Sequence, residues 1–183
     1  MRKCDQVAQL KRNAPQLSFA HGSTLHLLGK EITIVVEPTE KKRTTVRLDG
    51  AALIVQTAKP HGGDPHGSEA RGAVVAWCKY TARRIIPERV EQLNASVGFQ
   101  YKGAIVRDQK TRWGSCSRRG TLSLNWRLLL VPPSVMDYLI YHELAHLKEM
   151  NHSIRFWRLV QQLCPSFREA EGWLKKNGSL MFW

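Results

Sequence analysis

The segment Tyr141-His142-Glu143-Leu144-Ala145-His146 holds the residues of this chain best placed to do chemistry. It is an HExxH motif set within an apolar pattern of helical period. Residues four apart on a helix stand one above the other, so His142 and His146 can aim two imidazoles at one metal ion. Glu143 follows about 100° around the helix, beside the metal rather than on it. There it can take a proton from a water that the metal has made acidic. His152 lies a short turn beyond and is a third candidate ligand, or alternatively a cap at the helix end. Three neutral nitrogens, an open fourth position and an adjacent carboxylate form the layout of a catalytic zinc site, not a closed structural one. The expectation is one zinc per chain, held by His142, His146 and His152, with Glu143 as catalytic base.

These residues need a rigid support, and the surrounding pattern supplies one. The motif helix is predicted from Ser134, in a capping-box-like pair with Asp137, to about Glu149. Leu139, Leu144 and Leu147 form its core face. Met150-Asn151 turns the chain and delivers His152. A further helix carries Phe156, Trp157, Val160 and Leu163 on one face and stops at Cys164-Pro165. A last helical turn contains Trp173-Leu174.

Ahead of the motif, Ala104–Arg107 reads as a strand. Residues 111–116 and 121–128 read as a hairpin closed by Ser117-Arg118-Arg119-Gly120. Earlier still, a helix begins near Ser68, is interrupted by Pro87 and is stopped by Gly98.

Four segments follow: a loose tail at 1–16, a small antiparallel β-subdomain at 17–58, a linker at 59–68 and a catalytic domain at 69–183. The β-subdomain holds Leu25–Lys30, Ile32–Val36 and a hairpin whose turn is Asp49-Gly50. His61 and His66 in the linker read as solvent-exposed loop residues. The chain closes on Met181-Phe182-Trp183. The class is α+β.

Composition narrows the setting. Hydrophobic residues make up 43% of the 183, enough for a real core. No stretch approaches the ~20 apolar residues of a membrane span, and no secretory leader pattern opens the sequence. The expectation is a cytoplasmic protein without membrane contact. Cys4, Cys78, Cys116 and Cys164 are scattered without a CxxC pair and read as free thiols. Cys116, after Gly-Ser, reads as a packing residue, with ligand or nucleophile as the alternative.

The net charge is +13, and residues 101–127 hold seven Lys or Arg against one acid, Asp108. That excess makes nucleic acid a candidate partner through this segment, with Arg118 and Arg119 at the hairpin loop as candidate contacts. A basic surface that serves only solubility is an equal alternative.

RWGSC at 112–116, LNWRL at 124–128, HELAHLKEMNH at 142–152 and SIRFW at 153–157, taken together, closely resemble the YgjP-like family of zinc metallopeptidases. The resemblance covers about residues 20–176. It implies a minimal zincin-like fold, a twisted sheet over the active-site helix, with relatives among the SprT-like and WLM metalloproteases. It also implies His142, His146 and His152 as zinc ligands and Glu143 as the acid/base. The metzincin pattern shares the histidine spacing but places Gly where this chain has Glu149, and Met181 is a poor Met-turn residue.

The substrate implied is a peptide or protein. By analogy with zincins, strand 121–128 is the expected peptide-binding edge. Asn125 and Trp126 are then candidate substrate contacts, and core packing is the alternative for Trp126. Tyr138, one turn before His142, is a candidate oxyanion donor, with packing the favoured alternative. A competing function is a nucleic-acid-associated protein whose zinc is mainly structural. Glu143 argues against it, because a structural site has no use for a carboxylate there.

Overall fold

The computed structural model describes residues 18–40, 42–57 and 68–178. The tail at 1–16, Cys4, the linker histidines His61 and His66, and the final Met181-Phe182-Trp183 lie outside the described residues.

The first sheet starts with β1 (Thr24–Leu27) and β2 (Lys30–Pro38), paired antiparallel. Their turn residues, Leu28 and Gly29, both have positive φ, at 50° and 80°. That pattern matches the twist of a hairpin but is costly for leucine. The turn is held from outside. Leu28 N–H donates to the Leu129 carbonyl at 2.7 Å. Gly29 sits so tightly that a Cβ there would stand 2.9 Å from Pro133 Cδ. The hairpin is thereby seated on the chain that leads into the motif helix.

The second hairpin pairs β3 (Thr45–Asp49) with β4 (Ala52–Thr57) around the Asp49-Gly50 turn, with Gly50 at φ 57°. The strand order is β1-β2-β4-β3, and β2 and β4 are parallel. This corrects the expectation of an antiparallel sheet. Leu53, Ile54 and Val55 are buried in succession, so β4 needs cover on both faces and takes an interior place. Strand β3, with Leu48 exposed, takes the edge.

A 28-residue helix, α1 (Ser68–Ala95), crosses behind both sheets. It runs through Pro87 without a break, which corrects the expected interruption. An interior proline costs ~3 kcal/mol, through the lost hydrogen bond and the clash of its ring with the carbonyl four residues back. That carbonyl belongs to Arg83, on the exposed side, where water can satisfy it. On the other side Cys78, Ala82, Ile86 and Val90 are buried. Each large apolar side chain buried returns about 1.5–3 kcal/mol, so packing outweighs the proline. Gly98, at φ 67°, ends the helical segment as expected.

The second sheet comprises β5 (Gly103–Arg107), β6 (Gly114–Cys116) and β7 (Thr121–Asn125), in the order β5-β7-β6. Strand β7 pairs in parallel with β5 and antiparallel with β6. It ends at Asn125 rather than Leu128. A 3₁₀ helix, Trp126–Leu130, follows, with every residue buried. The Asn125 side chain makes the switch: its Oδ1 accepts from Arg127 N–H at 3.1 Å, and its Nδ2 donates to the carbonyls of Gln109 and Arg112.

Three helices complete the chain: α2 (Pro133–Ala145), α3 (Ile154–Leu163) and α4 (Phe167–Asn177). Pro133 opens α2 with its φ already set, and no side chain caps it. The expected Ser134–Asp137 box does not form, because Asp137 is taken by the Arg89 guanidinium. The α-helix proper ends at Ala145, and the chain reaches Glu149 in turns. One buried cluster runs through the molecule. Ile34 and Leu53 of the first sheet, Ile86 of α1, Leu122 of the second sheet and Ile140 of α2 all belong to it.

Candidate metal centre

His142 lies in the last turn of α2, and His146 is its C-cap. The cap residue keeps helical angles, φ −65° and ψ −15°, so the four-residue stacking survives although the helix ends there. The two rings meet edge-on with centroids 5.1 Å apart. His152 immediately precedes Ser153, whose hydroxyl accepts from Phe156 N–H and starts α3. It therefore belongs to the entry of α3 rather than to a cap on α2. Its Nε2 stands 3.0 Å from His142 Nε2.

One ligand atom from each of the three histidines falls within 4.8 Å of the others. Tetrahedral zinc with Zn–N bonds of ~2.0 Å spaces its nitrogens about 3.3 Å apart, so the residues fit such an ion. Their chemistry fits as well. Burial, then the neighbouring His146 and His152, pushes His142 down to about 3, so it is neutral with a lone pair to give. His146 Nδ1 is engaged by the Glu149 carbonyl at 3.0 Å, which leaves Nε2 to face the centre.

The walls are aromatic. The fully buried Phe156 ring stacks on His146 at 4.5 Å and meets His142 and His152 edge-on at 4.9 and 4.7 Å. Trp157 stacks on His152 at 5.7 Å. Sequence reasoning placed both on an apolar helix face and missed that they hold the imidazoles. Their nearness to His152, just past the Ser153 cap, is the signal that could have found them.

Glu143 is only 5% exposed, and its Oε2 has no hydrogen-bond partner among the described residues. Burial pushes its carboxyl up to about 8, against the pull of Arg112. Strand β6 runs across it, with Gly114 against the carboxylate. Among the described residues β6 pairs only with β7, so it is the edge beside Glu143.

The strand expected as the peptide-binding edge is not an edge. Strand β7 has neighbours on both sides and offers no free backbone. Asn125 and Trp126 are buried and engaged, the latter donating from Nε1 to Asp108 Oδ1 at 2.9 Å. Neither side chain lines an open cleft. Tyr138 is also buried. Its ring meets His142 edge-on at 5.9 Å, and its hydroxyl lies 3.4 Å from Glu171 Oε1, turned towards α4. Burial, then Glu143, pushes the Cys116 thiol up to about 11, so it stays protonated on β6 and outside the histidine group. Cys78 is buried packing, pushed up to about 12. Arg118 and Arg119 are exposed on the β6–β7 turn, outside the histidine group.

A buried carboxylate beside three convergent imidazoles is the arrangement of a metal-dependent hydrolase. The YgjP-like, metallopeptidase domain model matches residues 1–177, so the chain belongs to the YgjP-like metallopeptidase family. No curated protein matches. Among solved structures, the chain is similar to the metallopeptidase zymogen of Pyrococcus abyssi abylysin. The two are 28% identical over 50% of this chain and 94% of that one, with a TM-score of 0.45. No described helix is long and apolar enough to cross a membrane.

Proposed function

We propose that the chain hydrolyses peptide bonds in protein or peptide substrates, with one zinc ion held by His142, His146 and His152 and with Glu143 as general base. The observation that carries this reading is the convergence of three imidazoles next to a buried carboxylate with an unpartnered oxygen. Zinc, when bound there, supplies Lewis acidity that polarises a carbonyl and brings a water's pKa towards neutrality.

The rest is the work of the chain's own residues. The imidazoles are held in orientation by Glu149's carbonyl, Phe156 and Trp157. Glu143 accepts the proton of the attacking water and returns it to the leaving amine nitrogen. Burial raises its carboxyl towards the neutral range, where one group can serve as base and then as acid. The free side of β6 can pair with an extended peptide and lay its carbonyl beside Glu143.

The test couples elemental analysis to digestion of a peptide library. Glu143→Gln is expected to keep its zinc and lose hydrolysis by about 10²-fold or more. Unchanged hydrolysis in that variant, with contaminating protease excluded, overturns the mechanism.

A further inference from the structure

A cavity of about 390 Å³ opens between α3 and α4, next to the histidines but apart from them. Trp157, Phe167 and Ile154 give it an apolar lining, while Arg158, Arg168 and Glu171 bring charge. The Trp157 and Phe167 rings are stacked at 5.9 Å, so the apolar floor is already in place. Ile154 is 73% exposed, a large apolar side chain left on the surface at this position.

The charges are unequal. Glu171 is engaged by the Tyr138 hydroxyl. Among the described residues neither Arg158 nor Arg168 is in an ion pair; Arg168 rests over the Phe167 ring at 5.2 Å. The lining thus combines an aromatic floor with two guanidinium groups available to an anion. Trp157 is shared with the metal centre, its ring 5.7 Å from that of His152 and 5.9 Å from that of His142. An extended peptide advances about 3.3–3.6 Å per residue. A side chain in this cavity therefore belongs to a residue within a few positions of the bond held at the histidines.

We infer that this cavity is the specificity subsite of the enzyme, taking a hydrophobic side chain on Trp157 and Phe167 while Arg158 and Arg168 receive the carboxylate of an adjacent acidic residue. The inference rests on the proposed peptidase reading, but its binding step is measured without catalysis.

The probes are fluorescein-labelled hexapeptides, alanine throughout except for Phe-Glu, Phe-Lys or Ala-Glu at the centre. They are titrated by anisotropy into the zinc-loaded Glu143→Gln protein. Phe-Glu is expected to bind about tenfold more tightly than Ala-Glu, from the apolar area buried. It is expected to bind about three- to tenfold more tightly than Phe-Lys, from exposed charge pairing. Arg158→Glu with Arg168→Glu is expected to invert the Glu-over-Lys preference at unchanged zinc content. Gln161→Trp, which fills the cavity from its rim, is expected to weaken Phe-Glu towards Ala-Glu.

Equal binding of the three peptides by the unaltered cavity overturns the inference, and this comparison stands even where a charge-reversed variant fails to fold. A preference that survives charge reversal in a folded variant overturns it too. Library digestion by the wild type separates the two readings. Cleavage without the Phe-Glu preference removes the subsite and leaves the peptidase. Selective binding with no Glu143-dependent cleavage removes the peptidase and leaves the binding site.

Discussion

Gly114 of β6 and Glu143 of α2 are in direct contact across the candidate active site. A Cβ on residue 114 would stand 2.6 Å from Glu143 Oε1, 2.8 Å from Cγ and 2.9 Å from Cδ. No side chain fits there unless the carboxylate moves. The glycine is set by this approach and not by backbone angle, since Gly114 is not among the glycines of positive φ.

Gly114→Ala is therefore expected to displace Glu143 while leaving the histidines in place. Hydrolysis should fall by about tenfold or more, because small misplacements of a catalytic group are costly. Overpacking should also cost about 1–3 kcal/mol of stability. Peptide hydrolysis, zinc content and thermal unfolding of the variant check this together. Full activity would mean that the contact does not position the base.

Zinc should bind at one per chain and be lost, in part or whole, from His142→Ala, His146→Ala and His152→Ala, as read by elemental analysis. Retention of full zinc by His152→Ala would remove that residue from the ligand set. Because the three histidines join α2 to the start of α3, zinc held by them should also raise Tm. Binding to the folded state alone adds about 4 kcal/mol at a thousandfold excess over Kd. An unchanged Tm on chelation would argue against a site formed only in the folded chain.

Arg89 of α1 grips Asp137 of α2 through two parallel hydrogen bonds, Nε at 2.7 Å and Nη2 at 2.6 Å. This fork sets the motif helix against the long helix. Arg89→Ala is expected to cost about 1 kcal/mol, given the partial exposure of the pair. Arg89→Lys should restore only part of it, since an ammonium cannot make the planar two-bond contact. Denaturant unfolding of the two variants decides the matter, and equal stability of Lys and Arg would show that the fork geometry is idle.

Asp108 gathers Lys79 of α1 with Trp126 and Arg127 of the 3₁₀ helix. Burial pushes its carboxyl up, but hydrogen bonds from Lys79, Arg127 and Trp126 outweigh that and hold it well below its ordinary 3.8. A carboxylate with a depressed folded pKa stabilises above its unfolded value and loses that contribution as pH falls through the folded one. Asp108→Asn should thus lower Tm at pH 7, and the gap to wild type should narrow as pH drops below about 4. Thermal scans of the metal-free proteins across pH 3–7 test this, and a gap independent of pH would assign the loss to packing.

The local parts of the site were legible because they depend on chain geometry over a few residues. The period of a helix alone stacks His142 on His146 and sets Glu143 to one side. Asp49-Gly50 and Gly98 were equally readable, since both positions require a positive φ that glycine tolerates. Whatever depended on a remote partner was not legible. Asp137 looks like a helix cap until Arg89 arrives from 48 residues away. Pro87 looks like a helix end until the core behind α1 outweighs it. Strand β7 was expected to be an edge by analogy with zincins, and the sequence could not correct this because it shows a strand's own alternation and not its neighbours. Its interior place, and so the transfer of the open edge to β6, came from β5 pairing with it in parallel across the intervening chain. The residue types and their spacing determined which atoms could hold a metal. Only tertiary packing decided that Gly114 would lie on Glu143 and that Phe156 and Trp157 would wall the imidazoles, because those contacts join segments whose separation in sequence carries no periodic signal.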